Sequence, residues 1–163
     1  MYMTYGDIKG DVKSIDHAGK IAINSFQFGV IKQVKFSAHS DGIPSVGNPQ
    51  NKEIVILKTM CGASPQLMEY SYMRKPSKCV LELTQSMGNG AFGSSTAERV
   101  YAVYELEDAF ISEYHIDSYS KELASERLKI NFSKISLKYI HPEEASAGSS
   151  STKYDFITHQ ANK

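Results

Sequence analysis

Apolar and polar positions alternate with a period of two over most of the chain, the pattern of half-buried strands rather than of helices. Residues 2–5 make a short opening strand, closed near Gly6 and Gly10. Residues 21–31 make a longer one whose apolar parity changes: Ile21 and Ile23 share one face, whereas Phe26, Phe28 and Val30 share the other. Such a swap predicts a β-bulge, or a strand that bends from one sheet into another. Residues 54–57 are continuously apolar, as in a strand covered on both faces. Cys79, Leu81 and Leu83 alternate with Val80, Glu82 and Thr84, and the glycine-rich residues 86–95 then turn the chain. Residues 100–115 read as a long strand with a polar interruption at Glu107 and Asp108. After a polar connection at 118–125, Leu128, Ile130 and Phe132 occupy one strand face and Ile135, Leu137 and Tyr139 the other, a second parity switch. Residues 145–152 are a small-residue linker, and 154–158 a short closing strand.

One helix is predicted, of about ten residues by the spacing of its apolar positions. Ser64 suits the cap and Pro65 the first helical position, with Leu67, Met68, Tyr70 and Tyr72 at helical spacing and Pro76 as the stop. Strands are not followed regularly by helices, so the α/β class is excluded. The expected fold is mainly β, a compact β-barrel of two sheets with one short α-helix, forming a single domain over residues 1–163. Residues 37–51 break the pattern as a loop rich in turn residues, long for a compact domain. Its isolated apolar residues Ile43 and Val46 look like contact points for a partner.

Composition narrows the function classes. Lys plus Arg number 18 and Asp plus Glu 18, a balance that argues against the broad basic field of a non-specific nucleic-acid binder. It also leaves little repulsion between copies of the chain. Two cysteines, Cys61 and Cys79, are too few for a disulfide framework and are expected as ordinary thiols. No signal peptide is visible at the N-terminus, and no window approaches the roughly 20 apolar residues of a membrane span. Stable membrane insertion is therefore not expected.

Candidate chemistry is sparse. Residues 88–93 spell G-x-G-x-x-G, but no helix follows to hold a pyrophosphate, so a plain turn is expected. No two of the five histidines sit at i, i+4, and neither cysteine has a close cysteine partner, so no metal is expected. His115 and Asp117 read as a surface pair. Glu105, Glu107 and Asp108 form the densest acidic cluster, expected on a solvated barrel face or on an interface face paired with lysines of a neighbouring copy. No nucleophile elbow is present. The sequence assigns no catalytic residue and no cofactor, and the protein is not expected to be an enzyme.

Several stretches, taken in order, resemble one family. Ile8-Lys9-Gly10-Asp11-Val12, then His17, then residues 21–29 are similar to a Lys-Gly-Glu-type turn and a histidine before a strand ending in aromatic-x-aromatic-Gly. Lys58 followed by Ala63-Ser64-Pro65-Gln66-Leu67 resembles a lysine before a Ser-Pro-x-Leu helix start. Residues 104–112, the stretch from Glu126 to Tyr139, and Tyr154-Asp155-Phe156 resemble the family's central, late and closing strands. The family is that of the haemolysin-coregulated proteins, Hcp, the tube subunits of the type VI secretion system. Asp11 departs from the family's usual glutamate, Phe28 from its frequent tryptophan, and residues 35–51 lack the glycine-rich character of some relatives.

The resemblance implies homo-hexameric rings that stack into a tube, with a contractile sheath, spike and baseplate proteins as partners and effector proteins as cargo. It implies assembly in the bacterial cytoplasm followed by expulsion without a signal peptide. A ring requires one patch to meet a different patch on the next copy. Residues 34–51 are the expected ring-stacking interface, anchored by Phe36, Ile43, Pro44 and Val46. Two rivals remain from the sequence: the tail-tube protein of a contractile phage, which shares the architecture, and a small-ligand-binding barrel or a hydrolase built on one.

Overall fold

A computed structural model describes residues 1–35, 45–73, 75–86, 98–140, 149–157 and 160–162. In chain order they form β1 (Tyr2–Tyr5), β2 (Ile21–Ala22), β3 (Ser25–Gln27), β4 (Val30–Ile31), β5 (Val34–Lys35), β6 (Ser45–Val46), β7 (Gln50–Asn51) and β8 (Ile54–Thr59). There follow α1 (Ser64–Tyr72), β9 (Ser77–Ser86), β10 (Glu98–Asp117), β11 (Ser125–Asn131), β12 (Lys134–Ile140), β13 (Ser149–Asp155) and β14 (Gln160–Asn162). The mainly β architecture with one short helix is the expected one.

β10 organises the strands. Its first half pairs with β9 on one side and, from Ala102 to Glu107, with β12 on the other. Its second half, from Phe110 onward, pairs with β11 instead. The change of partner falls at Asp108, which takes a left-handed φ of 50° and thereby re-aims the strand. This is the polar interruption read from the sequence. On the opposite strand the chain breaks at Phe132–Ser133, between β11 and β12, and the Ser133 hydroxyl donates to Asp108 Oδ2 at 2.5 Å. The second parity switch is therefore the matching bend of the neighbouring strand.

The first switch is also real. Ile23 N–H donates to Met1 O on the β1 side, and the next amide, Asn24 N–H, donates to Leu57 O on the β8 side. The chain thus passes from β2, beside β1, to β3, beside β8. The barrel expectation needs one correction here. The hydrogen-bonded ladder does not close on itself; the circuit β1–β9–β10–β11–β8 is completed by the covalent step through residues 23–24.

The enclosed face holds Met3, Tyr5, Ile21, Ile54, Ile56, Leu81, Leu106, Leu128 and Ile130 as one core cluster. Alternation explains its membership, since along β8 and β11 every second residue is buried and those between are half-buried or exposed. Leu67 of α1 is buried against this core. The helix differs from expectation at both ends. Ala63, not Ser64, is the cap residue, because the Ser64 hydroxyl turns back to accept Cys61 N–H at 2.9 Å. The helix ends at Tyr72, with Met73 already extended, before Pro76 is reached. The predicted linker at 145–152 is corrected too. Ser149 to Thr152 are the first residues of β13, which pairs with β12 over seven positions.

Candidate assembly surface

Residues 29–35 and 45–52 leave the barrel as a narrow antiparallel ribbon. β4 pairs with β7, and β5 with β6, with Val34 opposite Val46. Backbone bonds from Gly47 N–H to Gln33 O at 2.8 Å and from Lys52 N–H to Gly29 O at 2.9 Å extend the ribbon between and below these pairs. Part of the predicted 37–51 loop, residues 45–51, is therefore the returning strand of an arm. The turn residues Gly47, Asn48 and Pro49 lie between its two short ladders rather than in a free loop.

The arm inverts the usual relation between hydrophobicity and burial. Val30, Ile31, Val34 and Val46 are all exposed, Val34 at 47% and Val46 at 57%. Val30 and Ile31 are consecutive and point to opposite faces, so both faces of the ribbon carry an exposed aliphatic side chain. A two-stranded ribbon gains little stability alone in water. Exposed apolar patches of this kind mark contact sites. Of the residues predicted to anchor stacking, Val46 is on this arm; Phe36, Ile43 and Pro44 lie outside the described residues.

A second inversion sits inside the barrel. Lys58 of β8 and Glu126 of β11 are buried and ion-paired to each other. Lys58 Nζ also donates to Ser64 Oγ at 3.1 Å, and Tyr114 OH donates to Glu126 Oε1 at 2.7 Å. Burial pushes the Glu126 carboxyl up. Hydrogen bonds from Lys58, Tyr114 and Ser64 outweigh it and hold the carboxyl below the usual carboxylate range. Burial and the bond to Glu126 push the Tyr114 phenol well above its ordinary value. Ser64 beside Lys58 is the closest approach to an activated nucleophile in this region. Its hydroxyl is already engaged by Cys61 N–H and Lys58 and has no route to a substrate. The network fastens the start of α1 to two strands. Sequence reasoning picked out Lys58, Ser64 and Glu126 as pieces of a resemblance but gave them no common role.

The opening motif has a mechanical explanation. Asp11 Oδ2 accepts Gly62 N–H at 2.6 Å, tying the first loop to the turn that leads into α1. A Cβ at Gly10 would stand 2.2 Å from Lys20 O, so only glycine fits that crossing. His17 is buried and stacks on Tyr2 with ring centroids 4.0 Å apart; its Nδ1 lies 3.2 Å from Glu82 Oε2.

The remaining candidates fall as follows. Glu105 pairs with Lys78 at 2.8 Å, and Glu107 with Lys153 at 2.7 Å and Lys134 at 3.4 Å, so these two glutamates meet lysines of their own chain rather than of a neighbour, while Asp108 accepts from Ser133. His115 and Asp117 form a surface pair at 3.1 Å. Cys61 is half-buried, Cys79 is buried, and both are free. The glycine-rich 88–93 segment lies outside the described residues. Among the described residues no group of three or more His, Cys, Asp or Glu is placed to hold a metal, and no helix is long and apolar enough to cross a membrane.

Comparison with known proteins decides the family. Residues 2–139 match the profile of the family described as type VI secretion system effector, Hcp. The chain belongs to the Hcp family. Hcp-like folds recur among solved structures at low identity. One type six secretion system protein aligns with a TM-score of 0.85 at 15% identity, covering 99% of this chain and 98% of its own. Hcp1 from Salmonella typhimurium aligns at 0.73 and 16%, covering 99% and 96%. A more distant likeness, at 0.56 and 13% over 85% and 87%, is the anti-feeding prophage cap that terminates its tube. At these identities the likeness concerns the fold. A search of curated proteins gives no match. Membership identifies the chain as a type VI secretion protein of the tube-forming kind, as the motifs implied.

Proposed function

We propose that this single-domain chain is the building block of the inner tube of a type VI secretion system. Six copies close into a ring with an open channel. Rings stack into a tube, and contraction of the surrounding sheath expels it. Sheath, spike and baseplate proteins are its partners during assembly in the bacterial cytoplasm, and small effector proteins travel in the channel. Export follows expulsion of the tube.

The observation that carries this reading is the arm. An Hcp-family chain that places Val30, Ile31, Val34 and Val46 in water on an arm separate from its core has a surface that folding alone does not use. A neutral net charge lowers the cost of bringing many copies together. The prophage cap's shared fold supports the kinship of secretion and phage-derived tubes without favouring the second for this chain. The test is the solution mass of the purified protein with negative-stain imaging of the same sample. Rings near six monomer masses with an open centre are expected. A strict monomer at every concentration, with no rings, would contradict the proposal.

A further inference from the structure

Phe28, Val30 and Lys32 occupy alternate positions where the chain leaves β3 and enters the arm, and all three turn to one side. Pro49 of the returning segment joins them there. Opposite, on the body, stand Ile135 of β12 and Tyr154 of β13, which are register partners, and Phe156 just beyond β13. A recess of about 250 Å³ lies between the two walls.

The walls are apolar and braced by aromatic contacts. Tyr154 and Phe156 have ring centroids 4.5 Å apart, Phe156 meets Phe132 at 5.7 Å, and Phe132 meets Phe28 at 6.0 Å. Among the described residues that line the recess, Lys32 alone carries a charge, and none is a carboxylate. Lys32 is exposed and has no ion-pair partner among the described residues. A lysine beside apolar surface lays its stem along that surface and keeps its ammonium at the water-facing rim. An apolar slot with a single unpaired cation suits a ligand with an apolar body and one negative charge. Size narrows the class further. A cavity of about 150 Å³ takes benzene, so this recess has room for about ten non-hydrogen atoms.

We propose that the recess is a binding site for a small amphipathic carboxylate, such as an aliphatic acid of about eight carbons. The apolar part lies between Phe28 and Val30 on one wall and Tyr154 and Phe156 on the other, and the carboxylate accepts from Lys32 Nζ at the rim. The site is complete in one chain and does not depend on the tube reading. One wall belongs to the arm and the other to the body, so a bound molecule bridges the two. An amine of the same length would set like charge against Lys32, and an alcohol would use the apolar walls alone.

The test is a titration of the full chain with octanoate, octanol and octylamine, followed by saturation-transfer NMR on the small molecule. Octanoate should bind saturably with a Kd on the order of 100 µM, octanol about tenfold more weakly, and octylamine not at all. Lys32→Gln should weaken octanoate about tenfold, as loss of a rim charge does, and leave octanol unchanged. Val30→Glu, which sets a carboxylate in the apolar wall, should abolish octanoate binding. Both positions are exposed, and thermal melting verifies that the variants fold. Equal affinities for octanoate and octanol, or octanoate binding that neither substitution changes, would overturn the site. So would binding to neither dilute protein nor assembled rings, the result expected if the chain itself or a neighbouring copy fills the recess. Solution mass and imaging of the same preparation read the tube proposal separately. Rings without octanoate binding would overturn this site alone, and octanoate binding to protein that never forms rings would support the site and overturn the tube reading alone.

Discussion

The interior network around Lys58 and the arm around Val34 are opposite exceptions to one rule. Inside, a cation and a carboxylate are withdrawn from water and fully partnered; outside, four aliphatic side chains are left about half in water. The first exception is closed within one molecule, since every contact named for it lies in a single chain. The second is open. The comparison separates what this protein needs in order to fold from what it holds ready for another copy, and variants in the two regions should behave in opposite ways.

The largest effect is expected inside. Lys58→Met leaves Glu126 buried without its counter-charge and should cost about 3–5 kcal/mol in urea unfolding, as breaking one partner of a buried pair does. Lys58→Met with Glu126→Leu should recover a large part of that loss, because the penalty belongs to the orphaned charge. A double variant as unstable as the single one would mean that the network's other bonds, to Ser64 and Tyr114, dominate.

Next in size is the bend. Asp108→Val places a β-branched residue at a φ of 50° and removes the acceptor of Ser133, and should cost about 1–3 kcal/mol. Asp108→Asn, which tolerates that backbone, should cost less than 1 kcal/mol or so. Equal costs in the two variants would show that backbone conformation is not what Asp108 supplies.

The acid limb of stability sharpens the comparison. Glu126 is held below its unfolded pKa, so the stability it contributes is present above the unfolded value, near pH 4, and is lost as pH falls through the lower folded value. Thermal melts from pH 7 down to pH 2 should show this loss in the wild type. Glu126→Gln should flatten that limb while lowering stability at pH 7. A Val34→Asp, Val46→Asp variant should keep it intact.

The smallest effect on folding is expected outside. Val34→Asp with Val46→Asp should change the unfolding free energy by no more than about 0.5 kcal/mol, as surface substitutions usually do.

Much of this fold was legible because strand periodicity records burial. The parity switches at 21–31 and 128–139 marked both places where a strand changes sheet, and Glu107-Asp108 marked where β10 changes partner. Legibility failed where burial stops alternating. Val30 and Ile31 are exposed on both faces, so period two carries no signal, and Gly47, Asn48 and Pro49 made paired backbone read as loop. Ser149 to Thr152 misled for the same reason, because exposed serines form a strand with no apolar face. The interior network was hidden differently. Lys58 and Glu126 stand 68 residues apart and meet only through the β8–β11 register. A lysine directly after the apolar run at 54–57 was the one local hint.

The measurement that bears most directly on the central claim is electron microscopy of wild-type and Val34→Asp, Val46→Asp protein at matched concentrations. The account predicts that both fold and form rings, and that stacked tubes appear only in the wild type. Tubes of equal length and number in both samples would contradict the assignment of the arm to assembly.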